Sequence, residues 1–168
     1  EDRMSGKYHA MIVFAMLIIV FVPAPALAQE QNRPVQFSLF TPVQIFPEDY
    51  TIAGVRLNLI YGRNVSVTGL DLGLVNHTTS GVSRGVQFGF VGLADTDFMG
   101  WQNNTVNVVL RDFEGFQWGL VNYAHHASGF QLGFVNYAVS IRGLQIGLVN
   151  IIKQGGQFPV FPIVNWSF

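Results

Sequence analysis

From residue 35 onward, apolar and polar side chains alternate with a period of two, the mark of strands whose successive side chains point to opposite faces. The alternation is clearest in blocks that open on glycine: GVRLNLIY from Gly54, GLDLGLVN from Gly69, GVQFGFVG from Gly85, GWQNNTVN from Gly100, GFQWGLVN from Gly115, GFQLGFVN from Gly129 and GLQIGLVN from Gly143. The blocks follow one another at 15, 16, 15, 15, 14 and 14 residues. One face carries Leu144, Ile146 and Leu148 or their equivalents Phe130, Leu132 and Phe134. The other carries Gly143, Gln145, Gly147 and Val149. The block at Gly100 is degenerate, with Asn103 and Asn104 where an apolar residue and a glycine are expected. Alternating flanks, Val35 to Val43 before the blocks and Val160 to Phe168 after them, bring the candidate strands to nine, or eight if Gly100–Leu110 is a loop. No helical stripe follows residue 28.

A repeat of this length is either one strand of about 10 residues plus a turn, giving an antiparallel meander, or one coil of a β-solenoid with two short walls. The linkers His77-Thr78-Thr79-Ser80, Ala94-Asp95-Thr96-Asp97 and Ala124-His125-His126-Ala127-Ser128 show no apolar alternation for a second wall. This favours an all-β antiparallel meander of eight to ten strands, closed as a small outer-membrane-type β-barrel. Its apolar face would meet lipid, and its Gly and Gln face would fill a narrow lumen. Ten residues at about 3.3 Å each, tilted by about 40°, span about 25 Å, the height of such an apolar band. The last strand ends Trp166-Ser167-Phe168, which resembles the assembly signal of outer-membrane barrels. The alternative is a β-solenoid in which Gly, Gln and Asn stack like on like.

The first 28 residues follow another logic. After Met4, the expected start, come Lys7, the apolar run Ala10–Val22 and the small-residue sequence Ala26-Leu27-Ala28. Thirteen apolar residues are too few to span a bilayer, and the pattern reads as a signal helix cleaved before Gln29. Residues 29–168 then form a single β-repeat domain that is exported, with no cysteine to accept a lipid.

Composition narrows the function. The chain of 168 residues is 49% hydrophobic and 11% charged, with net charge −1 and mean hydropathy +0.33, which argues against disorder and against a nucleic-acid partner. The tandem units, with the flanks SLFTPVQIFPEDY and FPVFPIVNWSF, resemble a bacterial family of surface repeat-containing proteins of unassigned activity over roughly Ser38 to Phe168. Family members share the Gly-Leu-Gln-x-Gly-Leu-Val-Asn core. This chain departs from it at Gly54, Gly85 and above all Gly100, and it lacks the lipobox cysteine of some members. The resemblance implies a surface β-repeat protein and brings no catalytic or binding residues with it.

Chemical motifs are sparse. Gly81-Val82-Ser83-Arg84-Gly85 matches the G-x-S-x-G nucleophile pattern without the helix that should follow it. His125-His126, with His77, Asp95 or Asp97, is the one grouping that invites a metal, yet adjacent strand residues point apart. Asp112 and Glu114 share a face and so could form an acid/base pair. Arg56, Arg84, Arg111 and Arg142 recur near strand starts as candidate rim residues. Trp101, Trp118 and Trp166 suggest interfacial girdles, and Asn76, Asn122, Asn136 and Asn150 suggest turns or side-chain ladders. The expectation is therefore a protein of the outer membrane or cell surface of a Gram-negative-type bacterium. Its role is structural or one of surface interaction, without catalysis, cofactor or metal, and outer-membrane lipid is the expected partner. The alternative is a soluble or surface-attached solenoid binding module with a protein or glycan partner.

Overall fold

The computed structural model describes residues 32–168, so the signal helix expected over residues 1–28 lies outside the described residues. The described residues form nine strands: β1 (Asn32–Phe40), β2 (Val43–Gln44), β3 (Thr51–Asn64), β4 (Val67–Thr78), β5 (Val82–Ala94), β6 (Asp97–Trp118), β7 (Val121–Leu132), β8 (Val135–Gln154) and β9 (Val160–Ser167). They belong to one sheet in the order β2-β1-β3-β4-β5-β6-β7-β8-β9.

Neighbours from β1 through β8 run parallel along that order, and this overturns the antiparallel meander and the barrel. A parallel neighbour 14–16 residues further on requires the chain to make a full turn within each repeat. Each repeat is therefore one coil of a β-solenoid. β6 is long enough to pair with β5 through its first part and with β7 through its last. The degenerate block at Gly100 is an ordinary coil inside β6, not a loop.

The linkers supply the second wall after all, with side chains smaller than expected. Thr78 pairs with Ala94, Ala94 with Val109, Val109 with Ala124 and Ala124 with Ala138, all buried in one file. Beside it lie Phe98, Phe113, Ala127 and Ile141. Phe98 and Phe113 stack with ring centroids 6.4 Å apart. Small and aromatic residues are separated by outward polar ones such as His125, His126 and Ser128, and the bend between Ala124 and Ala127 breaks the alternation that would have marked a wall.

The opposite inner walls are polar. Gln145 donates to Gln131 at 2.7 Å, Gln131 to Gln117 at 2.7 Å, Gln117 to Gln102 at 2.8 Å and Gln102 to Gln87 at 3.1 Å, each from Nε2 to Oε1. Gln87 then donates to Asp71 Oδ2 at 2.8 Å. Asp71 is also gripped by Arg56 through Nε at 2.7 Å and Nη2 at 2.8 Å, inside the coil where both residues are buried. A second file runs the other way: Asn107 donates to Asn122, Asn122 to Asn136 and Asn136 to Asn150, each at 2.8 Å. The two files point their amide dipoles in opposite directions and so offset each other. The Gln file presents its N–H ends to the Asp71 carboxylate, the same matching of anion to donor ends seen at a helix N-terminus.

Stacked glycines make the bends possible. Gly129 has φ +131°, and a Cβ there would collide with the Gly115 carbonyl oxygen of the preceding coil. Only glycine accepts both conditions.

Both ends are closed by antiparallel strands, β2 on β1 and β9 on β8. Gln36 completes the N-terminal cap by donating to the Phe46 carbonyl at 2.7 Å and accepting from its N–H at 2.9 Å. Residues 155–159 cover the free edge of β9: Gln157 N–H donates to the Trp166 carbonyl at 2.9 Å and Ser167 Oγ to the Gly155 carbonyl at 2.7 Å.

Candidate binding face

With Gln and Asn turned inward, the strict alternation sends the apolar residues of every block outward. Three outward columns result. The first joins Val55, Leu70, Val86, Trp101, Phe116, Phe130 and Leu144. The second, extended onto both caps, joins Phe37, Leu57, Leu72, Phe88, Asn103, Trp118, Leu132, Ile146 and Val164. The third lies at the bend and carries Leu59, Leu74, Phe90, Thr105, Leu120, Phe134 and Leu148. Its apolar members are well exposed, Leu59 at 69%, Phe134 at 56% and Leu148 at 63%.

Between the second and third columns runs a groove floored by glycine backbone. One basin of about 700 Å³ lies among Trp118, Leu120, Leu132, Phe134, Ile146 and Leu148. Another of about 690 Å³ lies among Phe37, Leu39, Leu57, Leu59 and Leu72. Aromatic rings reinforce the middle of the wall, with Phe88 edge-on to Trp101 at 5.3 Å, and Trp101 and Trp118 each within 6.4 Å of Phe116. Trp101 and Trp118 thus belong to one continuous face, and Trp166 pairs with Leu144 at its end, so they do not form two separate girdles.

The other sequence candidates disperse. Ser83 is buried, and its Oγ accepts the Val67 N–H at 3.2 Å, with no helix after it to complete a nucleophile elbow. His125 and His126 both face outward, because the chain bends there, and their rings meet edge-on at 4.5 Å. His126 Nδ1 lies 2.7 Å from Ser140 Oγ, and among the described residues no group of three or more His, Cys, Asp or Glu is placed to hold a metal ion. His77 sits apart from them, between Tyr61 Oη at 2.8 Å from Nδ1 and Asp95 Oδ2 at 3.0 Å from Nε2. The Tyr61 phenol is pushed above its ordinary value, chiefly by burial and against the pull of Arg63. Asp97 accepts the Asp112 N–H at 3.2 Å and approaches Arg111 at 3.7 Å. Asp112 and Glu114 are exposed on either side of buried Phe113.

Arg56 is not a rim residue; it is buried against Asp71, whereas Arg84, Arg111 and Arg142 are exposed. Asn76, Asn122, Asn136 and Asn150 are fully buried and serve the inner walls. Sequence reasoning passed over Asn103 and Thr105 as outward residues. They form the one polar rung of the apolar wall, and the degenerate block at Gly100 was the signal for them.

No family model matches the chain, and no curated protein or solved structure matches it either.

Proposed function

We propose that this chain is a non-catalytic β-solenoid binding module whose working surface is the outward apolar wall. The observation that carries the proposal is the placement of large apolar side chains on the outside of a coil whose inside is already filled. Monomeric soluble proteins seldom leave a contiguous apolar patch of this extent uncovered, and one that does marks an interaction surface. The occupied hydroxyl of Ser83 and the separation of His77 from the outward pair His125 and His126 favour binding over catalysis. The setting we propose is the bacterial cell envelope, reached by export; its support is the sequence of residues 4–28 alone.

An environment-sensitive apolar dye tests the working surface. The native chain should enhance its fluorescence when dilute, and Phe134→Glu should remove most of that signal while the β circular dichroism stays unchanged. A folded native chain that binds no dye at any dilution would overturn the reading. Envelope fractionation tests the setting, and recovery of the chain from the cytoplasm would overturn it.

A further inference from the structure

The face proposed above as the working surface has the size, symmetry and polar marking of a self-complementary interface, and we infer that its occupant is a second copy of this chain. The inference rests on that reading of the apolar wall and names its partner.

Size comes first. Three outward columns span five residues of strand, about 16 Å at about 3.3 Å per residue, and the seven rungs they share at about 4.8 Å run about 34 Å. The footprint is about 540 Å² per copy, so two copies bury about 1,100 Å², above the ~1,000 Å² that a specific interface should clear. The other route to self-association, end-to-end strand addition, is obstructed by the antiparallel β2 over residues 38–40 of β1, and by β9 with the bonds from residues 155–159 onto it. Among the described residues Arg and Lys equal Asp and Glu, seven of each, so no charge excess calls for an anionic or cationic partner.

Symmetry and marking supply the rest. In the second outward column Asn103 is the fifth of nine rungs, with four apolar rungs before it and four after. A two-fold pairing about the centre of the face presents the same patch from both copies, and the fifth rung is then the rung that meets itself. Asn103 of one copy faces Asn103 of the other, where each amide can both donate and accept. A slip of one rung would set Asn103 and Thr105 against Phe88 and Phe90 or against Trp118 and Leu120, leaving the amide without a partner in an apolar surround. A single polar position in an apolar seam fixes register in this way in coiled coils, at some cost in stability. The polar rung that looks like an error in the repeat is here the registration mark of a dimer.

Sedimentation equilibrium on the full chain tests this, alongside Phe134→Glu, Leu74→Lys and Asn103→Leu, each checked for native β circular dichroism. The native chain should sediment at twice its chain mass. Phe134→Glu should weaken the dimer about 100-fold, because each dimer carries two altered contact sites. Leu74→Lys, on the other half of the face, serves the same purpose if Phe134→Glu does not fold. Asn103→Leu should remain associated but spread into more than one species as the register loosens. Three results would overturn the inference. One is a native chain that is monomeric at every attainable concentration; a second is a dimer indifferent to both charged substitutions. The third is a monomer that floats with phosphatidylcholine vesicles, which would give the face to lipid. A monomer that still binds the apolar dye would remove the second copy and leave the binding face standing, whereas loss of both signals would remove the two readings together.

Discussion

The inside and the outside of this coil exchange the roles that globular proteins usually give them. Inside, Gln36, Gln87, Gln102, Gln117, Gln131 and Gln145 are buried to 1% exposure or less; outside, leucine, phenylalanine and tryptophan stand in rows. The difference is one of closure. A side-chain amide in a stack can bond with the amide above and the amide below, so its burial leaves a lost hydrogen bond chiefly where a file ends, as at Gln145 Oε1. Among the described residues the outward apolar rows touch only one another along the wall, and they gain further only when something covers them. The inner files therefore hold the monomer together, and the outer columns are free to serve association.

That division can be broken by substitution, and the largest effect is expected where there is no space at all. Gly129→Val would drive a Cβ into the Gly115 carbonyl at a φ of +131°, and the loss should exceed the ~4–5 kcal/mol that marks exceptional substitutions. Circular dichroism should then show no cooperative melt. Asp71→Asn comes next, since it leaves the Arg56 guanidinium buried beside a neutral amide. A cost of about 3–5 kcal/mol should appear as a lowered urea midpoint. Gln131→Ala removes one link of the file and strands both the Gln145 donor and the Gln117 acceptor, for about 1–3 kcal/mol in the same titration. Smallest is Leu74→Lys, which should change monomer stability by no more than about 0.5 kcal/mol when measured in dilute solution. If the outward leucine costs as much as the inward glutamine, the contrast drawn here is wrong.

The periodicity, the seven units and the separation of an amide face from an apolar face were all legible in the residues. Which face turns inward was not, because a period of two says that the faces differ and is silent on which is covered. The expectation that a solenoid coil must send apolar residues inward on both walls then favoured the meander, and Ala124 and Ala127 were too small to register against it. Arg56 was read as a rim residue because it recurs with Arg84, Arg111 and Arg142 near strand starts; its partner, Asp71, lies 15 residues away, one coil on, a proximity that only the stacked arrangement creates. The Asn ladders were open to inspection because like residues recurred at like positions. The outward role of Asn103 was hidden by reading its block as damaged.

The two end caps also set how such a gene can change. The coils from Gln87 to Gln145 meet their neighbours through the same Gln-to-Gln bond, so a duplicated or lost stretch of coding sequence for one of these units alters the coil count while both caps keep their places at the ends of the coil. Every such event lengthens or shortens the outer wall by about 4.8 Å without requiring a new contact to be invented. The avidity of the surface is then heritable in steps, and an unmarked unit inserted on one side of Asn103 would move the polar rung off centre and separate the new lineage's partners from the old.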